Sequence, residues 1–207
     1  MSSELKTGAL TTLARVKAIL EIKDATTSFD TLLERFINQA GDFVEGQCNR
    51  KFKQATHTDE KISIYAPRAE FVFLKDTPVV SITNLKYKIA VGSYQAYGST
   101  EYEIEGDGKS GIIRVYGGAP KGTNALTCTY LAGYLIDFTA PGDETKHTLP
   151  ADLSGLVESL VVKAYKSRLA KGKMNESAAG DSVSWKDTMD EGDKMILSRY
   201  TRPPQFV

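Results

Sequence analysis

The stretch FDTLLERFINQAGDFVEGQCNRKF, residues 29–52, decides how the rest of the chain is read. Phe29, Leu32, Leu33, Phe36, Ile37, Ala40, Phe43, Val44 and Cys48 recur at three- and four-residue spacing, so a helix gathers them into one stripe. Glu34, Arg35, Gln39, Asp42 and Glu45 fall on the other side and face water. Such a helix must bury its stripe against other elements. Upstream, Leu13, Val16, Ile19 and Leu20 predict a short helix over 11–22. Thr27 and Asp30 form a variant capping box for the longer one. Downstream, helical spacing returns only at Leu149-Pro150-Ala151-Asp152-Leu153. Pro150 suits a first turn, where its missing N–H costs nothing. Leu153, Leu156, Val157, Leu160, Val161, Ala164 and Leu169 carry the stripe to about Lys171.

Between these helices the period changes. Lys61–Tyr65 alternates, Glu70–Leu74 is short and aromatic, and Val79–Val91, Glu101–Glu105, Gly111–Tyr116 and Leu126–Leu131 are β-branched or aromatic runs. Gly, Asp, Asn and Pro separate them, which predicts an antiparallel sheet or small barrel. Gly92–Thr100 and Asp137–Thr148 read as polar loops, the latter carrying Pro141-Gly142-Asp143. Thr188-Met189-Asp190-Glu191 is a second capping-box candidate, opening a short helix to Tyr200 that Pro203-Pro204 stops. The expected fold is α+β. A helical platform, 1–55 with 148–180, carries an inserted antiparallel β-domain over 56–147, and a C-terminal partner-binding tail runs over 181–207.

Chemistry-bearing motifs fail on context. Gly106-Asp107-Gly108-Lys109-Ser110-Gly111 matches G-x-G-x-x-G, but a dinucleotide site needs a helix after the glycines. Ile112-Ile113-Arg114-Val115-Tyr116 is another strand, so the glycines make a hairpin turn. Lys109-Ser110 imitates the end of a P-loop whose first glycine position is Glu103. His57, His147, Cys48 and Cys128 show no metal-ligand spacing and no paired nucleophile and base. We therefore expect no catalytic residue, cofactor or metal. Two cysteines among apolar neighbours read as reduced, buried thiols. No apolar run approaches a membrane span, which predicts a protein made in a reducing cytoplasm with no membrane partner. Lys+Arg and Asp+Glu both number 26, a balance that argues against a dedicated nucleic-acid binder but not against one that encloses DNA.

Two clusters leave alternatives open. Lys163, Lys166, Arg168, Lys171 and Lys173 are either a solvated face near a helix C-terminus or a contact for DNA or an acidic partner. Trp185, Tyr200, Arg202, Pro203, Pro204 and Phe206 in the tail either fold onto a partner or dock on their own subunit.

The order of these landmarks resembles the head–tail connector (adaptor) proteins of tailed bacteriophages. The likeness is carried by Leu13–Leu20 before the helix ending Asn49-Arg50-Lys51-Phe52, by Thr77–Ile82, and by Tyr102–Val115 around Gly111-Ile112-Ile113-Arg114. Thr129–Tyr134, Leu149–Leu153, Gly180-Asp181-Ser182 and Leu197–Pro203 complete it. The resemblance implies a structural virion protein. It would form a dodecameric ring on the portal after packaging, enclose the genomic DNA without sequence-specific contact, and offer a docking surface to a stopper or tail-completion protein. The tail would reach the portal. The localisation implied is the virion neck, with the host cytoplasm during assembly.

Overall fold

A computed structural model describes residues 4–140, 142–170 and 184–201. The chain divides into two compact units, Met1–Phe52 with Leu135–Val207, and Lys53–Tyr134.

The first unit is helical. Helix α1 (Leu13–Ile19) opens at Thr12, whose side chain accepts the Arg15 N–H. Helix α2 (Asp30–Cys48) follows, and Asn49 closes it in the left-handed conformation that Asn tolerates. Helix α3 (Ala151–Ala170) returns after the β unit, and two shorter helices follow, α4 (Trp185–Thr188) and α5 (Glu191–Tyr200). The α2 stripe buries Leu33, Phe36, Ile37, Ala40, Val44 and Cys48. Leu153, Leu156, Val157, Leu160, Val161 and Ala164 of α3 are buried as well. Each large side chain removed from water contributes roughly 1.5–3 kcal/mol before ordering costs, so this seam holds the unit together. Phe29 meets Tyr165 edge-on at 6.0 Å where α2 begins and α3 nears its end. Leu169 belongs to the expected stripe, but its side chain lies outside the described set.

Both expected capping boxes shift. The residue before α2 is Phe29, and no side chain caps the helix. Asp30 instead takes the buried Lys17 ammonium at 2.8 Å, an ion pair that outcompetes a local cap. At α5 the reciprocal box is Asp190 with Asp193, two residues beyond Thr188. The segment 135–148, expected in the β-domain, belongs to the helical unit. Leu135 and Thr148 exchange hydrogen bonds of 2.9 Å, the Asp137 N–H donates to His147 Nδ1 at 3.2 Å, and Arg15 lies 5.2 Å over Phe138.

The second unit contains seven strands: β1 (Ala55–Ile64), β2 (Ala69–Phe73), β3 (Val79–Ala90), β4 (Ser93–Ala96), β5 (Tyr102–Ile104), β6 (Ile112–Ala119) and β7 (Gly122–Ala132). All paired strands are antiparallel, in sheets ordered β1-β7-β3-β4 and β2-β6-β5. The sheets share one core, with Leu85, Leu126, Cys128 and Tyr130 from the first and Val72, Ile113 and Val115 from the second. The Tyr130 hydroxyl donates to Glu60 at 2.5 Å and accepts the Asp76 N–H at 3.1 Å, so the largest polar group in this core is satisfied. Strand β4 lies in the stretch expected to be loop. Its pairing with β3, Tyr87 against Gln95, supplies what its short polar sequence does not signal.

Candidate functional site

The glycine motif is a turn between β5 and β6, with Gly106, Gly108 and Gly111 at φ of 60°, 73° and 69°. Gly108 accepts the Val79 N–H at 2.8 Å, and a Cβ on it would stand 1.9 Å from the Val79 carbonyl oxygen. The glycines serve chain packing, and Lys109 pairs with Asp107 on the surface. His57 stacks on Tyr130 at 4.9 Å, while His147 lies 4.8 Å from Phe138. Both cysteines are free and buried, and burial pushes Cys48 up to about 11 and Cys128 up to about 12. These residues are distributed over both units.

The C-terminal segment is held closely by its own unit. Leu197 is buried, and the Cys48 thiol points to its carbonyl at 3.9 Å. Trp185 meets Phe36 edge-on at 6.1 Å. Tyr200 does the same to Phe52 at 6.1 Å, and its hydroxyl donates to Asp152 at 2.6 Å. Lys163 of α3 reaches Asp190 at 2.6 Å and Asp193 at 2.5 Å, locking the start of α5 to the middle of α3. That ammonium holds the Asp190 carboxyl below the usual carboxylate range. Of the expected tail residues, Trp185 and Tyr200 thus sit on the chain's own helices. Arg202, Pro203, Pro204 and Phe206 lie outside the described residues.

The basic cluster divides in the same way. Lys163 is engaged by two carboxylates, Lys166 is exposed, and Arg168 is half-buried. Lys171 and Lys173 lie outside the described residues. The cations do not assemble into one DNA-facing stripe among the described residues.

A surface that the sequence reading missed lies on the sheet β2-β6-β5. Phe71 and Phe73 on β2 are 49% and 58% exposed, and Tyr116 on β6 is 47% exposed. Arg114 lies 5.8 Å over the Phe71 ring and 5.7 Å over that of Tyr116. A hydrogen bond from Tyr116 to Glu103 raises the phenol's pKa. Val72, between the two phenylalanines, is the residue that enters the core. Aromatics around an arginine are the composition of binding hot spots. The available signal was the alternation Phe71-Val72-Phe73, in which the bulkier residues take the outer face.

The model of one family, described as head completion protein, matches residues 9–200. Three solved structures share the fold over nearly the whole chain. A chain in the neck of an empty gene transfer agent particle, computed with C6 symmetry, is 17% identical with a TM-score of 0.58, covering 98% of this chain and 96% of its own. One in the virion of a native gene transfer agent particle is 16% identical at 0.57, covering 100% and 96%. One in the neck of the native particle, computed with C12 symmetry, is 16% identical at 0.53, covering 100% and 97%. No curated protein matches.

Proposed function

The chain belongs to the head completion protein family, and from that membership we propose that it is a structural head–tail connector in the neck of a phage-like particle, not an enzyme. The observation that carries this reading is the family match over 9–200, supported by a fold shared along the whole chain with neck proteins. In this reading copies assemble as a twelve-membered ring on the portal after packaging, as the C12 symmetry of a similar neck supports. The ring encloses the genomic DNA, and its lower face receives a stopper or tail-completion protein. A heterologous contact repeated around an axis closes such a ring without any special terminal subunit.

The portal contact is assigned to the end of the tail. Trp185 and Tyr200 are seated on α2, α3 and the residues after α2, so they act as anchors that fix where the following segment leaves. Arg202, Pro203, Pro204 and Phe206 are then the portal-facing residues. The outward aromatic face with Arg114 is assigned to the tail-side protein. Lys163 is withdrawn from the DNA-binding alternative by its two carboxylates. The portal assignment is tested by deleting residues 202–207, which spares Leu197 and the aromatic anchors. The truncated protein should fold normally and lose portal binding. Portal binding at wild-type strength overturns the tail assignment.

A further inference from the structure

The outer side of α3 leaves an open groove of about 430 Å³ beside α1, lined by Ile19, Gly155, Ser159, Val162 and Lys166. Glu158 and Lys163 at its edge are already engaged, the first by Thr11 and Arg15 and the second by Asp190 and Asp193. Glycine is among the poorest helix formers, yet Gly155 lies in a 20-residue helix. A Cβ placed there would meet no atom within 4 Å, so nothing in this unit requires a glycine. What its absence of side chain provides is room for another backbone. Ile19 is 49% exposed on the groove wall. Lys166 at one end is exposed and has no ion-pair partner among the described residues.

The same unit carries a matching ridge. Helix α5 buries Asp193 and Leu197, which leaves Glu191 and Met195 on its opposite side, one turn apart. Met195 is 62% exposed, and the Glu191 side chain is 90% exposed with only the neighbouring Lys194 against it at 2.7 Å. That solvated i,i+3 pair holds little energy and can be exchanged for a partner's cation. Glu191 to Met195 and Val162 to Lys166 are both four-residue steps, about 6 Å along a helix. An apolar and a charged group therefore repeat at the same spacing on ridge and groove, with opposite charges. Because α5 is packed by its other face, it cannot turn this ridge toward the groove of its own chain.

We propose that the groove receives the outward face of α5 from a second copy of this chain. Met195 lies against Ile19 and Val162, Glu191 faces Lys166, and the end of α5 passes over Ser159 and Gly155. Ridge and groove are different surfaces, so the contact is heterologous and propagates from copy to copy. The proposal rests on the ring reading, for which it supplies the contact.

The test mixes two separately purified full-length variants, Val162→Cys and Met195→Cys, with a short bismaleimide. Cys48 and Cys128 are buried and do not compete. A cross-linked dimer should form in the mixture and from neither variant alone. Lys166→Glu should weaken wild-type self-association by at least about tenfold, and Lys166→Glu combined with Glu191→Lys should recover most of it. Gly155→Leu should leave the fold intact, since its surroundings are open, and block association. If wild-type multimers form but cross-linking, Lys166→Glu and Gly155→Leu all leave them unchanged, the groove assignment fails while the ring reading stands. If wild-type protein forms no multimer, alone or on the portal, both fail.

Discussion

Replacing Lys163 by Met separates a structural lysine from a DNA-binding one. The ammonium lies 2.5 Å from Asp193, whose side chain is 7% exposed, while Lys163 itself is 33% exposed. Breaking a fully buried pair costs about 3–5 kcal/mol, because the surviving charge is left without its partner. Lys163 is partly in water and Asp193 keeps the Asp190 N–H at 3.1 Å, so roughly half of that, about 2 kcal/mol, is expected. The methionine retains the packing of the stem. Trp185 is the only tryptophan and packs on Phe36, so its fluorescence reads the helical unit alone. With an m-value of about 2 kcal/mol/M, the urea midpoint should fall by about 1 M. Adding Asp193→Asn to Lys163→Met should recover part of the loss, since the buried charge is then gone. Retention on duplex DNA at low salt should be unchanged. A midpoint within about 0.2 M of wild type would refute the lock, and a loss of DNA retention would restore Lys163 to a binding face.

Gly108→Ala should destabilise the β unit by at least about 2 kcal/mol, because its Cβ would collide with the Val79 carbonyl and its φ is +73°. Lys109→Ala on the same turn should do nothing measurable, and unfolding curves of the pair check both. Both thiols should resist a maleimide at neutral pH and react only on unfolding. Their folded pKa values, about 11 and about 12, exceed the ordinary 9.0, so the neutral thiols stabilise the fold below pH 9. That contribution is lost as pH rises from about 9 through 11–12, and alkaline unfolding should shift upward in the Cys48→Ala, Cys128→Ala variant once its cavity cost is subtracted. Tyr130→Phe should cost about 1–3 kcal/mol by leaving the Asp76 N–H and Glu60 without the hydroxyl, as a denaturant titration of the β unit would show.

The helices were legible because periodicity over many residues leaves little choice. The stripe from Leu33 to Cys48 and that from Leu153 to Ala164 are buried as their spacing requires. Longer strands were legible for the same reason. Features that depend on tertiary partners were hidden. Ser93–Ala96 becomes a strand because β3 offers it an edge. Asp30 leaves capping for a lysine 13 positions away, and the 135–148 loop is fixed by Arg15 and a Leu135–Thr148 exchange. On the functional surfaces, residue type was visible but direction was not. Trp185 and Tyr200 were recognisable as anchors, but which protein they anchor to depends on the position of α2. The outward turn of Phe71 and Phe73 follows from the pairing with β6, and Gly155 gains meaning only once the space above it is seen to be empty.

The most direct test of the connector assignment is sedimentation of the full-length protein, alone and then mixed with the portal assembly. A connector should co-sediment with the portal and saturate at one ring of subunits per portal. Failure to sediment with the portal at any protein concentration, or binding without a saturating ratio, would contradict it.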